Sequence, residues 1–232
     1  RLGIIRVETL PELMETIKFV SVGGLPKGNR LAVFTCSGGD CLMTADIAEA
    51  IDLPLPQHSP AQVADLRTQL PNFATISNPL DYNTSLWGHE DLLTRCFGTV
   101  MAGDFDAGML VIDYATDGKA SEDAWDCSVK GLIAACHKTG KLPIVTATLP
   151  ELLPARVRDL IVSGKGAPMQ GLREALYAFG HSQYQQGNSS AAFKAFAPPT
   201  LYNPVERRSP SPRGEAGQML GGYEDALRHY LQ

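Results

Sequence analysis

Four apolar residues in a row, Leu31-Ala32-Val33-Phe34, run without polar alternation into Thr35-Cys36-Ser37-Gly38-Gly39, and a helical pattern starts at Asp40. An apolar run this short suits a strand covered on both faces. The small residues after it let the backbone turn sharply and lie close to a ligand. Leu42, Met43, Ile47, Ala50 and Ile51 then fall at the spacing of one helix face. Strand, small-residue turn and helix together aim free backbone N–H groups and a positive dipole end at one spot. That spot is a candidate anion site.

The rest of the chain alternates in the same way. Thr9-Leu10-Pro11-Glu12 has the make-up of a helix start, with Thr9 as cap and Glu12 placed for a capping box. Ser59-Pro60 opens a helix that Pro71 ends, and Ala74 to Ile76 reads as a short strand before the turn-rich loop Asn78-Pro79-Leu80-Asp81. A helix is expected from Glu90 to Met101, a strand from Gly108 to Ile112, and a helix from Ser121 to His137. Ile144 to Thr146 and Ala167 to Met169 read as strands, with helices from Ala155 to Ser163 and from Gly171 to Gln185. Strands separated by helices imply right-handed crossovers and a parallel sheet between two helical layers. The expected fold is therefore α/β, a flavodoxin-like three-layer domain over 28–186, preceded by an N-terminal helix and lead-in over 1–27. Prolines without apolar period make 187–221 a linker, and 222–232 reads as the start of a following element.

Charge and cysteine usage narrow the function classes. A net charge of −5 argues against nucleic acid or an anionic membrane surface as the main partner. No apolar run nears the roughly 20 residues that span a bilayer, and Arg1-Leu2-Gly3 does not begin a signal peptide. Five cysteines without CxxC spacing read as reduced thiols of a cytoplasmic protein, with no metal site. The absent initiator Met and the abrupt start are read as those of a fragment.

Ligands of open parallel sheets sit at the carboxyl ends of the strands. Three loops compete for that edge: 35–40, 78–83 and 113–119. The first offers the amides of Ser37, Gly38 and Gly39 and the Ser37 hydroxyl, while Asp40 in the first helical turn opposes an anion. Asn78 and Asp81 are either ligand groups or an Asx turn that locks the loop. Asp113, at a strand end, suits a metal or a phosphoryl group, but the acidic pair of a receiver domain is missing. Cys36 or Ser37 as a nucleophile lacks an identifiable base, and no histidine has a telling partner.

Several stretches together carry a resemblance: Gly3 to Leu13, Thr35 to Gly39 with Ala45 to Glu49, Asn78 to Asp81, and Met169 to Leu176. In that order they resemble the NDP-forming acyl-CoA synthetases, relatives of succinyl-CoA synthetase and of ADP-forming acetate–CoA ligase. The resemblance covers 1–186 and implies the second flavodoxin-like ligase domain of such an enzyme. It implies a reaction in which a carboxylic acid, CoA and a nucleoside triphosphate give acyl-CoA, NDP and phosphate, through an acyl phosphate and a phosphohistidine. The implied partners are a CoA-binding Rossmann domain, a first ligase domain and an ATP-grasp domain, and a homo-oligomer is compatible with the sequence. CoA and ATP or GTP with Mg belong to the full-length enzyme, with none expected on this chain. The helix after Ser37-Gly38-Gly39 resembles one of two whose N-termini grip the phosphohistidine, whose own segment should precede Arg1. The isolated chain is expected to be inactive, and the alternative is a non-catalytic module that binds a nucleotide or a partner.

Overall fold

The computed structural model describes residues 5, 7–115 and 122–182. Val7–Gln183 form one compact unit. The expected linker over 187–221 and the element over 222–232 lie outside the described residues.

Among the described residues five strands form one sheet: β1 (Leu31–Thr35), β2 (Leu80–Asp81), β3 (Ala107–Val111), β4 (Leu142–Ala147) and β5 (Ala167–Gln170). All pairings are parallel, in the order β2-β1-β3-β4-β5. Val33 sits opposite Met109, Met109 opposite Ile144, and Ile144 opposite Ala167. This is the flavodoxin-like strand order, in which the chain reverses direction across the sheet between β1 and β3.

Among the described residues seven α-helices flank the sheet: α1 (Leu10–Lys18), α2 (Gly38–Ala50), α3 (Pro60–Arg67), α4 (Glu90–Met101), α5 (Asp123–Thr139), α6 (Ala155–Ser163) and α7 (Leu172–Ser182). Successive strand residues point to opposite faces, and two cores follow from that alternation. Phe34, Leu110 and Val145 face the layer that includes Leu66, Phe97, Leu132 and Val157. Val33, Met109 and Ile144 face the layer that includes Phe19, Ala48, Leu172 and Phe179. Every residue of β1 and β3 is buried, which is why their sequences show no polar alternation.

Local chemistry sets the helix ends. Thr9 Oγ1 accepts from the Glu12 N–H at 3.3 Å, and the Glu12 carboxylate accepts from the Thr9 N–H at 3.2 Å, closing the expected capping box. Ser59 and Gln62 form a second box at the start of α3. Gly140 ends α5 in the left-handed region, φ 65°.

Two expectations are corrected here. The strand expected at Ala74 to Ile76 is absent, and the strand next to β1 is Leu80–Asp81, inside the segment expected to be a loop. Asn78 prepares it: its side chain accepts from the Val33 N–H at 2.9 Å and donates to Leu31 O at 2.8 Å, standing in for a strand backbone. In α2 the expected stripe divides: Ile47 and Ile51 pack, partly buried, against the second core, while Leu42, Met43 and Ala50 are exposed. Thr44 and Ala48 are buried, while Leu42 is 69% and Met43 44% exposed. Small side chains, Thr44 and Ala48, take its most buried positions.

At the far edge, α1 packs on α7 and β5 within the same unit. Glu15 and Lys18 form a buried ion pair at 2.7 Å. The Glu15 carboxylate also accepts from the backbone N–H of Gln170 at 2.9 Å, and Lys18 donates to Gln170 Oε1 at 3.3 Å. Burial pushes the Glu15 carboxyl up and the Lys18 amine down, each held back by the other's charge.

Candidate functional site

The turn between β1 and α2 stands at the carboxyl edge of the sheet. Ser37 is the N-cap of α2, and its Oγ accepts from the Asp40 N–H at 3.4 Å. The Cys41 N–H reaches Ser37 O at 3.1 Å. Thr35, the last residue of β1, organises the turn through its hydroxyl: Oγ1 accepts from the Ser37 N–H at 3.1 Å and donates to Asp40 Oδ2 at 3.0 Å. The Ser37 amide, expected to face a ligand, is thereby spent inside the turn. Ser37 keeps a hydroxyl hydrogen to donate.

Gly38 and Gly39 are exposed, and no hydrogen bond engages their N–H groups. Neither has a positive φ. A Cβ at Gly38 would come no nearer than 3.9 Å to Asp81 Oδ2, and one at Gly39 no nearer than 3.5 Å to Ser37 Oγ. Glycine in a helix costs about 0.5–1 kcal/mol against alanine. Neither backbone conformation nor packing within this unit calls for that cost.

Three carboxylates surround the turn. Asp40 lies in the first turn of α2, and its carboxyl is pushed above its ordinary range, first by burial and then by Asp113 and Asp81; the Thr35 hydroxyl opposes the shift. Asp81 ends β2, and its Oδ1 accepts from the Asn83 N–H at 2.9 Å. Asn83 stands at φ 64°, ψ 151°, a region kept almost entirely for glycine, and its side chain caps Ser85. Asp113 follows β3, with both oxygens engaged by Thr148, at 2.7 Å to its N–H and 2.6 Å to its hydroxyl. Asp40, Asp81 and Asp113 thus meet at one edge, as the sequence placed them. Asn78 does not join them, because it is buried among Leu31, Val33 and Pro56. Thr35 and Thr148, which fix two of the carboxylates, escaped sequence reading. A threonine at a strand end was their one signal.

The other candidates resolve on their surroundings. Burial, then the Asp40 charge, pushes the Cys36 thiol up to about 11, so its thiolate is scarce at neutral pH and a nucleophilic role finds no support. His58 is buried, shares a hydrogen bond with Ser77 O at 3.0 Å and packs edge-on to Phe105. Among the described residues no group of three His, Cys, Asp or Glu side chains is arranged to hold a metal ion. No helix among them is long and apolar enough to cross a membrane.

No protein-family model matches the chain. Its sequence is 32% identical over 88 residues to the alpha subunit of acetate–CoA ligase [ADP-forming] II of Pyrococcus furiosus, covering 38% of this chain and 19% of that one. It is 33% identical over 79 residues to acetate–CoA ligase [ADP-forming] of Methanocaldococcus jannaschii, covering 34% and 11%. In fold it matches a crystal structure of a Pyrococcus horikoshii OT3 protein with a TM-score of 0.65 at 20% identity, over 80% of this chain and 42% of that one. It also matches the dinucleotide-forming acetyl-coenzyme A synthetase 1 of Ca. Korarchaeum cryptofilum, in complex with phosphate and ADP, with a TM-score of 0.63 at 19% identity over 84% and 41%. The match spans about a fifth or less of the length of these curated relatives. Over that stretch the chain is similar in sequence to ADP-forming acetate–CoA ligases, and it shares its flavodoxin-like fold with part of the synthetase structure, findings consistent with the NDP-forming acyl-CoA synthetases.

Proposed function

We propose that this chain is the second ligase domain of an NDP-forming acyl-CoA synthetase, and that the N-terminus of α2 holds the phosphoryl group of a histidine carried elsewhere in that enzyme. The overall reaction would join a carboxylic acid to CoA at the expense of a nucleoside triphosphate, releasing NDP and phosphate. The observation that carries the reading is the pair Gly38 and Gly39, exposed, with free N–H groups and no internal reason to lack a side chain. Smallness unexplained from within suits close approach from without.

The chemistry assigned to this chain is electrostatic. The N–H groups of Gly38 and Gly39 and the Ser37 hydroxyl donate to phosphoryl oxygens, with the dipole of α2 behind them. Asp40, Asp81 and Asp113 limit the strength of that hold, which suits a group that must be passed on. As the family resemblance implies, CoA is assigned to the Rossmann domain and the nucleotide with its Mg to the ATP-grasp domain of the full enzyme, the histidine lies outside this chain, the setting is cytoplasmic, and the chain alone is taken to be inactive.

The test is a titration of the chain with inorganic phosphate, followed by backbone amide shifts. Joint movement of Gly38 and Gly39 supports the cradle. If they stay still, both alone and with the histidine-bearing domain present, the non-catalytic module takes its place.

A further inference from the structure

The outer side of α2 carries residues for which the fold has no use. Gly38, Gly39, Leu42, Met43, Asp46 and Glu49 are exposed, while Thr44 and Ala48 are buried. At 3.6 residues per turn, those six lie on the side of the helix away from Thr44 and Ala48. Leu42 stands one turn beyond Gly38, Met43 one turn beyond Gly39, and Asp46 one turn beyond Leu42. Ile47 and Ile51 pack against the second core on the inner side. A helix with large apolar residues all round is ordinarily covered all round, yet Leu42 and Met43 stand open. Charge poses the same question. The helix holds Asp40, Asp46 and Glu49 and no Lys or Arg. Glu49 lies in the last turn, where the helix dipole favours a cation. Among the described residues neither Asp46 nor Glu49 forms an ion pair.

We propose that this side of α2 is a docking surface for the part of the enzyme that carries the histidine, and that the segment seated on it is apolar at its centre with lysine or arginine beside it. The proposal rests on the phosphoryl cradle read above. A histidine that brings its phosphoryl group to the N–H groups of Gly38 and Gly39 comes within about one helical turn, roughly 5.4 Å, of Leu42 and Met43. Its own segment is then the body nearest to those two side chains. There is chain enough outside to supply it, since the matched stretch is 19% and 11% of the length of the two curated relatives. An apolar centre with charges at the rim is the make-up of a specific interface. Leu42 and Met43 form the centre, and Asp46 and Glu49 select a basic partner and set its register along the helix. The two glycines at the head of the surface let the partner come close to the backbone.

Methionine oxidation tests this. Among the described residues Met43 is exposed, Met14 is partly buried, and Met101, Met109 and Met169 are buried. Hydrogen peroxide converts accessible methionine to the sulfoxide, and peptide mass spectrometry follows Met43 in the full chain and in the intact synthetase. Met43 should oxidise readily in the chain and several times more slowly in the synthetase. Leu42→Gln, and Asp46→Lys together with Glu49→Lys, should each return the synthetase rate most of the way to that of the chain. In the chain itself the same variants should leave the Met43 rate unchanged, with thermal unfolding showing that they fold. Equal Met43 rates in the chain and the synthetase would overturn the docking surface. A Met43 already protected in the chain alone would overturn it too, because this chain or a second copy would then be the cover. Protection that survives the paired lysines would overturn the basic partner. Met43 is read without phosphate, whereas the Gly38 and Gly39 shifts test the cradle without the partner, so failure of one is told from failure of the other.

Discussion

Replacing Gly38 by alanine separates the two demands on the α2 N-terminus. The backbone at Gly38 is one that any L-residue adopts, and the new methyl would sit at van der Waals distance, 3.9 Å, from Asp81 Oδ2. With no clash to relieve, the substitution should stabilise the fold by roughly 0.4–1 kcal/mol, chiefly by restricting the unfolded chain. For a domain of this size that is about 1–4 °C in Tm. The same methyl stands where a phosphoryl group would approach the N–H. Losing one hydrogen bond to a charged group costs about 1.5–3 kcal/mol, or roughly 10- to 150-fold in rate. Thermal unfolding of the chain and single-turnover phosphoryl transfer in the intact synthetase measure the two effects, and Gly38→Val should slow transfer further. A variant that melts lower and transfers at the unmodified rate would refute the reasoning, because Gly38 would then serve the fold and not a ligand.

Other perturbations test the surroundings. Asp40→Asn removes a charge from the first turn of α2 and keeps an acceptor for the Thr35 hydroxyl, so phosphate should bind about 2- to 5-fold more tightly, on the order of 0.3–1 kcal/mol, in the same amide titration. Burial holds the His58 imidazole below its ordinary value of 6.5, so the unfolded chain takes up that proton first. The His58 share of stability is complete above about 6.5 and is lost as pH falls through that value toward the lower folded one; urea midpoints should show the loss, and His58→Gln should lack it. Asn78→Ala strands the Val33 N–H and the carbonyls of Leu31 and Pro56, and should cost roughly 2–4 kcal/mol in urea unfolding. Lys18→Met leaves Glu15 buried and unpaired at about 3–5 kcal/mol, part of which Glu15→Leu in the same chain should restore.

Much of the fold could be read from local signals. Buried parallel strands announce themselves as unbroken apolar runs, and Thr9 with Glu12 or Ser59 before Pro60 marks a helix start within a few residues. Reading failed where tertiary contacts decide. Two residues, Leu80 and Asp81, are too short a strand to show a pattern, and the Asn78 side chain beside them reaches across to β1. Leu42 and Met43 obey helical spacing and still face outward, since periodicity identifies a stripe without saying which side the sheet is on. At the site, the glycine turn and the aspartates were legible as residue types at strand ends. That Thr35 consumes the Ser37 amide, or that Thr148 occupies Asp113, depends on side-chain directions that no local window contains.

The contact between Glu15 and Gln170 bears on self-association. A strand at the border of a sheet ordinarily offers a row of bare donors on which another chain can template. Donors two residues apart along a strand point the same way, so the N–H that Glu15 takes from Gln170 shares its side with position 168. That position is proline and has no N–H to give. The outer border of β5 is thus stripped of donors at two successive places, and the opposite border, β2, is only two residues long. Filament growth by adding strands finds little purchase at either end. Cutting away residues 1–23 would reopen one border, and a shortened chain of that kind should aggregate where the longer one stays dispersed.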